Sequence, residues 1–147
     1  MFKKPAAIAI FAAAVCGVHA NSLAASPGET VAAFHQALAG GDRDKALSFM
    51  SPQVAIYESG YVERSRDEYA GYHLGSDMDF VRNASRKVVR QSERIDGKLA
   101  VVWEETETTG TWKDKPLHVL GTETAVLEKT GDSWKIVHVH WSSRKAK

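Results

Sequence analysis

The chain has 147 residues, a single cysteine, and 19 Lys+Arg against 18 Asp+Glu. That length suits one domain with one hydrophobic core. The even charge balance leaves no electrostatic footprint for nucleic acid.

Lys3 and Lys4 precede an apolar run, Ala6 to Val18, that is too short to cross a bilayer. Val18-His19-Ala20 and Ser22-Leu23-Ala24 both satisfy the small-x-small rule for leader cleavage. Residues 1–20 therefore read as a secretory signal peptide, with cleavage as late as residue 24. The alternative, an N-terminal membrane anchor, would have to use this short run. Cys16 has Ala13 and Val15 before it rather than the residues of a lipid-attachment site. The expected mature chain is periplasmic or secreted and, once the leader is removed, not membrane-bound. It loses Lys3, Lys4 and Cys16, leaving 17 basic against 18 acidic side chains and a net charge of −1. Without cysteine it has no disulfide, thiol nucleophile or thiolate metal site, and it rests on its core alone.

Ser26-Pro27-Gly28-Glu29 is a capping box with proline at the first helical position. It opens a helix whose Val31, Phe34, His35 and Leu38 form one stripe, ended by Gly40-Gly41. Asp42 can cap a second short helix in which Ala46, Phe49 and Met50 share a face, stopped at Ser51-Pro52. Val54 to Glu58 reads as a short strand and Gly60 as a turn. Ser65-Arg66-Asp67-Glu68 is a second capping box, opening a helix with Tyr69, Tyr72 and His73 on one face. Gly75 is expected to close it, and Ser76 to Val81 to add one more turn. From Ser85 the pattern has period two. Asp96-Gly97, the loop from Gly110 to Lys115, and Gly131-Asp132 cut it into four strands. Helices followed by an antiparallel meander make an α+β layout, with no internal repeat and no linker. In the last strand Val137, Val139 and Trp141 alternate with Ile136, His138, His140 and Ser142.

This order of elements resembles the nuclear transport factor 2-like superfamily, and within it the SnoaL-like group. It is also similar to the association domain of calcium/calmodulin-dependent protein kinase II. The residues that carry the resemblance are Gly131-Asp132-Ser133-Trp134-Lys135-Ile136-Val137-His138-Val139-His140-Trp141-Ser142, Gly121-Thr122-Glu123-Thr124 and Asp79-Phe80. It covers roughly residues 28–143, within a domain expected over 26–143 that leaves 144–147 as a basic tail. The resemblance implies a cone-shaped α+β fold, with the N-terminal helices packed in the concave face of a strongly curved, mostly antiparallel sheet. It implies a pocket on that concave side and a homodimer on the convex side. Trp141, Val137 and Val139 would then face the interior, and Trp134, His138 and His140 the dimer partner.

Placed on that cone, Glu105 and Glu123 point inward beside Trp103 and Trp141. A carboxylate in an aromatic pocket can serve as a general acid or base, because desolvation opposes its charge. Glu123 is the candidate catalytic group, whereas the run Glu104-Glu105-Thr106-Glu107 equally suits an exposed strand end. Tyr57, Tyr72 and His73 can supply polar tips at the pocket mouth, or be plain core. His35, on an apolar stripe, reads as a satisfied core histidine. His138 and His140 share a face but have no fixed third ligand, so no metal is expected there, and no cofactor. No Gly-x-Ser-x-Gly elbow or phosphate loop occurs. Superfamily enzymes use a Tyr–Asp pair with an aspartate base, an Asp-Arg-Asp set or an aspartate acid/base. The inward strand positions here are expected to offer Glu, not Asp, and no Arg. The resulting expectation is an exported small-molecule-binding domain lined by Tyr57, Tyr72, His73, Trp103, Glu105, Glu123 and Trp141. The alternatives are an isomerase, lyase or hydrolase using a pocket carboxylate, and an association module.

Overall fold

The computed structural model describes residues 24–147. The leader assigned to residues 1–20 lies outside the described residues. Among those described, four helices precede or interrupt a six-stranded sheet.

Ser26 accepts from the Glu29 amide while the Glu29 carboxylate accepts from the Ser26 amide, so both orphan donors are satisfied and α1 runs Pro27–Ala39. Glu93, reaching across from the sheet, accepts from the Gly28 amide at 2.8 Å and places negative charge at the helix N-terminus. A side chain at Gly28 would meet Glu93 and Gln91 at 2.9 Å, so the glycine lets sheet and helix meet. Asp42 caps α2, Arg43–Ser48. Phe49 ends this helix and Met50 already opens a strand, which corrects the expected Ala46-Phe49-Met50 face. The strand β1, Met50–Glu58, tolerates Pro52 because its ladder with the last strand is interrupted between Met50 and Ala55. Ser59 and Gly60, both at positive φ, form a two-residue turn into β2, Tyr61–Glu63. Ser65 caps α3, Arg66–Tyr72. A nine-residue helix α4, Leu74–Arg82, follows at once. Gly75 sits inside its first turn rather than stopping the chain.

The strands β3 (Ala84–Asp96), β4 (Leu99–Trp112), β5 (Lys115–Thr130) and β6 (Ser133–Lys145) make the expected meander. The sheet order is β2-β1-β6-β5-β4-β3, with one parallel pair, β1 with β6. Cross-strand neighbours share a face, so the concave side is a stack of rows. Ile136, Leu127 and Ala100 form one row, and Ile56, Val139, Ala125 and Val102 the next. These rows are buried under α1, α2 and α3 with Val31, Phe34, Leu38, Tyr69 and Leu74. The third row turns polar: Glu58, Trp141, Glu123, Glu104 and Gln91. The core ends there and the site begins.

A bulge sets which side chains of β6 face in. Ile136 pairs with Leu127 and His138 with Val126, leaving Val137 as the extra residue. Strict alternation would place Trp134 and Ile136 with the imidazoles. The bulge instead turns them into the core with Val139, and Trp134 is 8% exposed. Trp134 is therefore core rather than interface, and Val137 is only half-buried.

Candidate functional site

A cavity of about 330 Å³ lies between α4 and the open end of the concave sheet. Ser76, Asp77 and Phe80 form its helical wall. Thr106, Thr108 and Ser143 give it hydroxyls, and Gly121 lets the wall draw close. A Cβ at Gly121 would lie 2.7 Å from Thr106 Oγ1. Phe80 meets Trp112 edge-to-face at 5.4 Å, providing an apolar end. Trp141 lies in the floor, stacked on Phe34 at 6.4 Å.

Two charged clusters bound this cavity. In the first, Glu123 accepts from His35 Nε2 at 2.7 Å and from Arg86 at 3.2 Å. Arg86 also bridges to Glu104, which takes a second donor from Gln91 at 2.7 Å. Glu104 and Glu123 are 2% and 4% exposed. Burial opposes the Glu123 charge, but His35 and Arg86 outweigh it and hold the carboxyl below its ordinary range. The Trp141 indole acts in the same direction, although the buried Glu123 Oε1 has no partner in bonding geometry. A carboxylate held this way is a weak base, and its first role is in an ion-paired wall.

In the second cluster His73 Nδ1 meets Glu63 at 3.0 Å, and His73 Nε2 meets Glu58 at 3.1 Å and Asp77 at 3.6 Å. Tyr69 donates its phenol to Asp77 at 2.7 Å. Burial, aided by neighbouring carboxylates, raises the Glu58 and Asp77 carboxyls above their ordinary range. Burial and Asp77 also push the Tyr69 phenol up.

The structure brings Glu123, Trp141 and His73 to the cavity wall and removes four other candidates from it. Trp103 and Glu105 lie on the convex face, since β4 buries Val102, Glu104 and Thr106 instead. Tyr57 stands 5.0 Å from His138 and 6.4 Å from His140, on that same outer side. Tyr72 is 83% exposed and touches no part of the cavity. His138 is tied to the Ala55 carbonyl at 2.9 Å, and His140 is exposed. An inward arginine does exist, against the expectation of none: Arg86, on β3. Asp77 supplies the aspartate that the strands lack, from a helix that sequence shortens to one turn. Glu104 was recoverable from register, because it pairs directly with Glu123.

Comparison with known proteins agrees with this architecture. Residues 28–144 match the SnoaL-like domain family, and the chain belongs to it. No curated protein matches the chain. A crystal structure described as a candidate ketosteroid isomerase, from Shewanella frigidimarina NCIMB 400, is 36% identical with a TM-score of 0.76, covering 83% of this chain and 96% of that one. A nuclear transport factor 2-like protein from Salmonella enterica serovar Typhimurium LT2 is 23% identical, with a TM-score of 0.67, over 81% and 88%. The calcium/calmodulin-dependent protein kinase II hub of S. rosetta is 22% identical, with a TM-score of 0.65, over 82% and 98%. The fold is thus the nuclear transport factor 2-like cone.

Proposed function

We propose that this SnoaL-like domain binds a small, partly apolar molecule in the cavity under α4. One observation carries the reading: a cavity of about 330 Å³ joins an aromatic end, Phe80 and Trp112, to a wall of hydroxyls and fixed charges. That combination of apolar contact area and a few convergent polar groups is what small-molecule sites provide. Native mass spectrometry of the purified chain is the test. Trp112→Ala should lose the bound species, and Trp103→Ala, on the opposite face, should keep it. Equal retention in both variants would place the ligand elsewhere.

The description of the Shewanella relative supports a second reading, isomerase-type proton transfer in the same cavity. The carboxyls that would exchange a proton with a ligand are Glu58 and Asp77, which burial raises above their ordinary range, whereas Glu123 is ion-paired to His35 and Arg86. Tyr69 is fully buried with its phenol committed to Asp77, so it is not set to donate to a substrate oxygen.

The same reading has the domain exported by residues 1–20 and paired through its convex face. There Trp103, His140 and Tyr57 fall in one cross-strand row with Thr124, and both Trp103 and Tyr57 are more than two-fifths exposed. Mass measurement of secreted material tests the first point, and the convex-face variants below test the second.

A further inference from the structure

We propose that Glu58, His73 and Asp77 form a binding site for a first-row divalent transition ion at the His73 end of the cavity. The proposal does not depend on the small molecule and runs against the sequence expectation of no metal.

The geometry is that of a coordination polyhedron. Donors about 2.1 Å from a shared ion stand about 3.0 Å apart in an octahedron and about 3.4 Å apart in a tetrahedron. His73 Nε2 stands 3.1 Å from Glu58 and 3.6 Å from Asp77, and one donor atom from each of the three lies within 4.8 Å of the others. Glu58 and Asp77 keep 31% and 21% of their side chains exposed, so they have room to close around an ion.

The surroundings fit the same assignment. Glu63 faces His73 Nδ1 at 3.0 Å. A proton on Nδ1 donated to that carboxylate leaves the Nε2 lone pair directed between two carboxylates, which is repulsive unless a metal ion or a proton lies there. A carboxylate behind the histidine and a hydrogen bond on the second carboxylate, here from Tyr69 to Asp77, are the outer supports that metal ligands use. Glu63 itself is short of donors: it is 9% exposed, and its Oε2 has no partner among the described residues. Arg86, the arginine in the cavity lining, is spent on Glu104 and Glu123. One imidazole with two carboxylates favours zinc, manganese, iron or cobalt over magnesium or calcium. Three protein ligands, with the fourth side open to the cavity, match a site that keeps a position for water or a ligand.

Protons are the competitor. A doubly protonated His73 could donate to Glu63 and Glu58 with no ion present. The full chain, stripped with chelator and dialysed, should be titrated with Zn²⁺ by calorimetry and with Co²⁺ by visible absorption. The expected result is one ion per chain and a Co²⁺ band in the visible. His73→Gln should weaken binding about 100-fold or more, and Glu63→Gln about 10- to 100-fold. The exposed pair His118 and Glu107 controls for surface binding, so His118→Gln should change nothing. Glu58→Gln, at the exposed rim, gives a second reading should His73→Gln fail to fold. Absent binding, or binding that survives Glu58→Gln and Glu63→Gln, would overturn the site and leave the proton-bridged cluster.

Discussion

Replacing Arg86 with methionine keeps an unbranched apolar stem but removes the cation shared by two buried carboxylates. Glu104 would retain only the Gln91 amide at 2.7 Å, and Glu123 only His35 at 2.7 Å. Removing one partner from a buried ion pair costs about 3–5 kcal/mol, because the remaining charge is left desolvated. For a domain of this size that corresponds to a fall in melting temperature of about 10–20 °C. The pH dependence identifies the cause. In the native chain Glu123 titrates below its ordinary value of 4.5, so its contribution is present above that pH and is lost as pH falls through the lowered value. Without Arg86, burial, the largest influence on Glu123, is less opposed, and this carboxyl should titrate higher than in the native chain. The penalty relative to the native chain should then shrink as pH falls, because the variant's carboxyl takes up its proton first. Calorimetric melts at pH 7.5 and 5 read both effects, and adding Glu104→Gln with Glu123→Gln should restore at least half of the loss. A penalty that is the same at both pH values, or below about 1 kcal/mol, would refute the view of Arg86 as an electrostatic keystone.

Two further outcomes are expected. Gly110 has φ of 151°, and a Cβ there would lie 2.3 Å from the Asn83 carbonyl oxygen. Gly110→Ala should therefore cost about 2–4 kcal/mol by urea titration, and a neutral result would mean that the β3–β4 end is looser than it stands. Trp103→Arg combined with His140→Glu should lower the solution mass of any assembly without shifting the melt of the isolated domain, since both residues lie on the outer face; an unchanged mass would place the interface elsewhere.

Much of the fold was legible because the signals were local. One capping box, two side-chain caps at Asp42 and Ser65, and three turns fix nine of the element ends within a few residues, and each acts through neighbours in the chain. The short helix after His73 was less legible. Gly75 reads as a stop, but a glycine in the first turn costs little once Asp77 and Tyr69 are tied together across the junction.

The site was less legible because a face assignment is a register statement, and register is not written in any single strand. Assigning both Glu105 and Glu123 to the pocket is geometrically inconsistent. The two-residue turn at Lys113-Asp114 pairs Trp112 with Lys115, and counting back along both strands sets Glu104 against Glu123. Residues directly opposite share a face, so an inward Glu123 requires an inward Glu104 and sends Trp103 and Glu105 outside. The turn type was the missing fact, since a broad loop from Gly110 to Lys115 leaves the count free by one. In β6 the error had another origin. The bulge at Val137 adds one residue to the strand, so Trp134 and Ile136 join Val139 and Trp141 in spite of the alternation. No local motif marks that residue. Its effect is to bury a tryptophan and an isoleucine in the core while Trp141 stays in line with Glu123 and Glu58. The polar row that results is what makes the open end of the cone chemically different from its apolar floor.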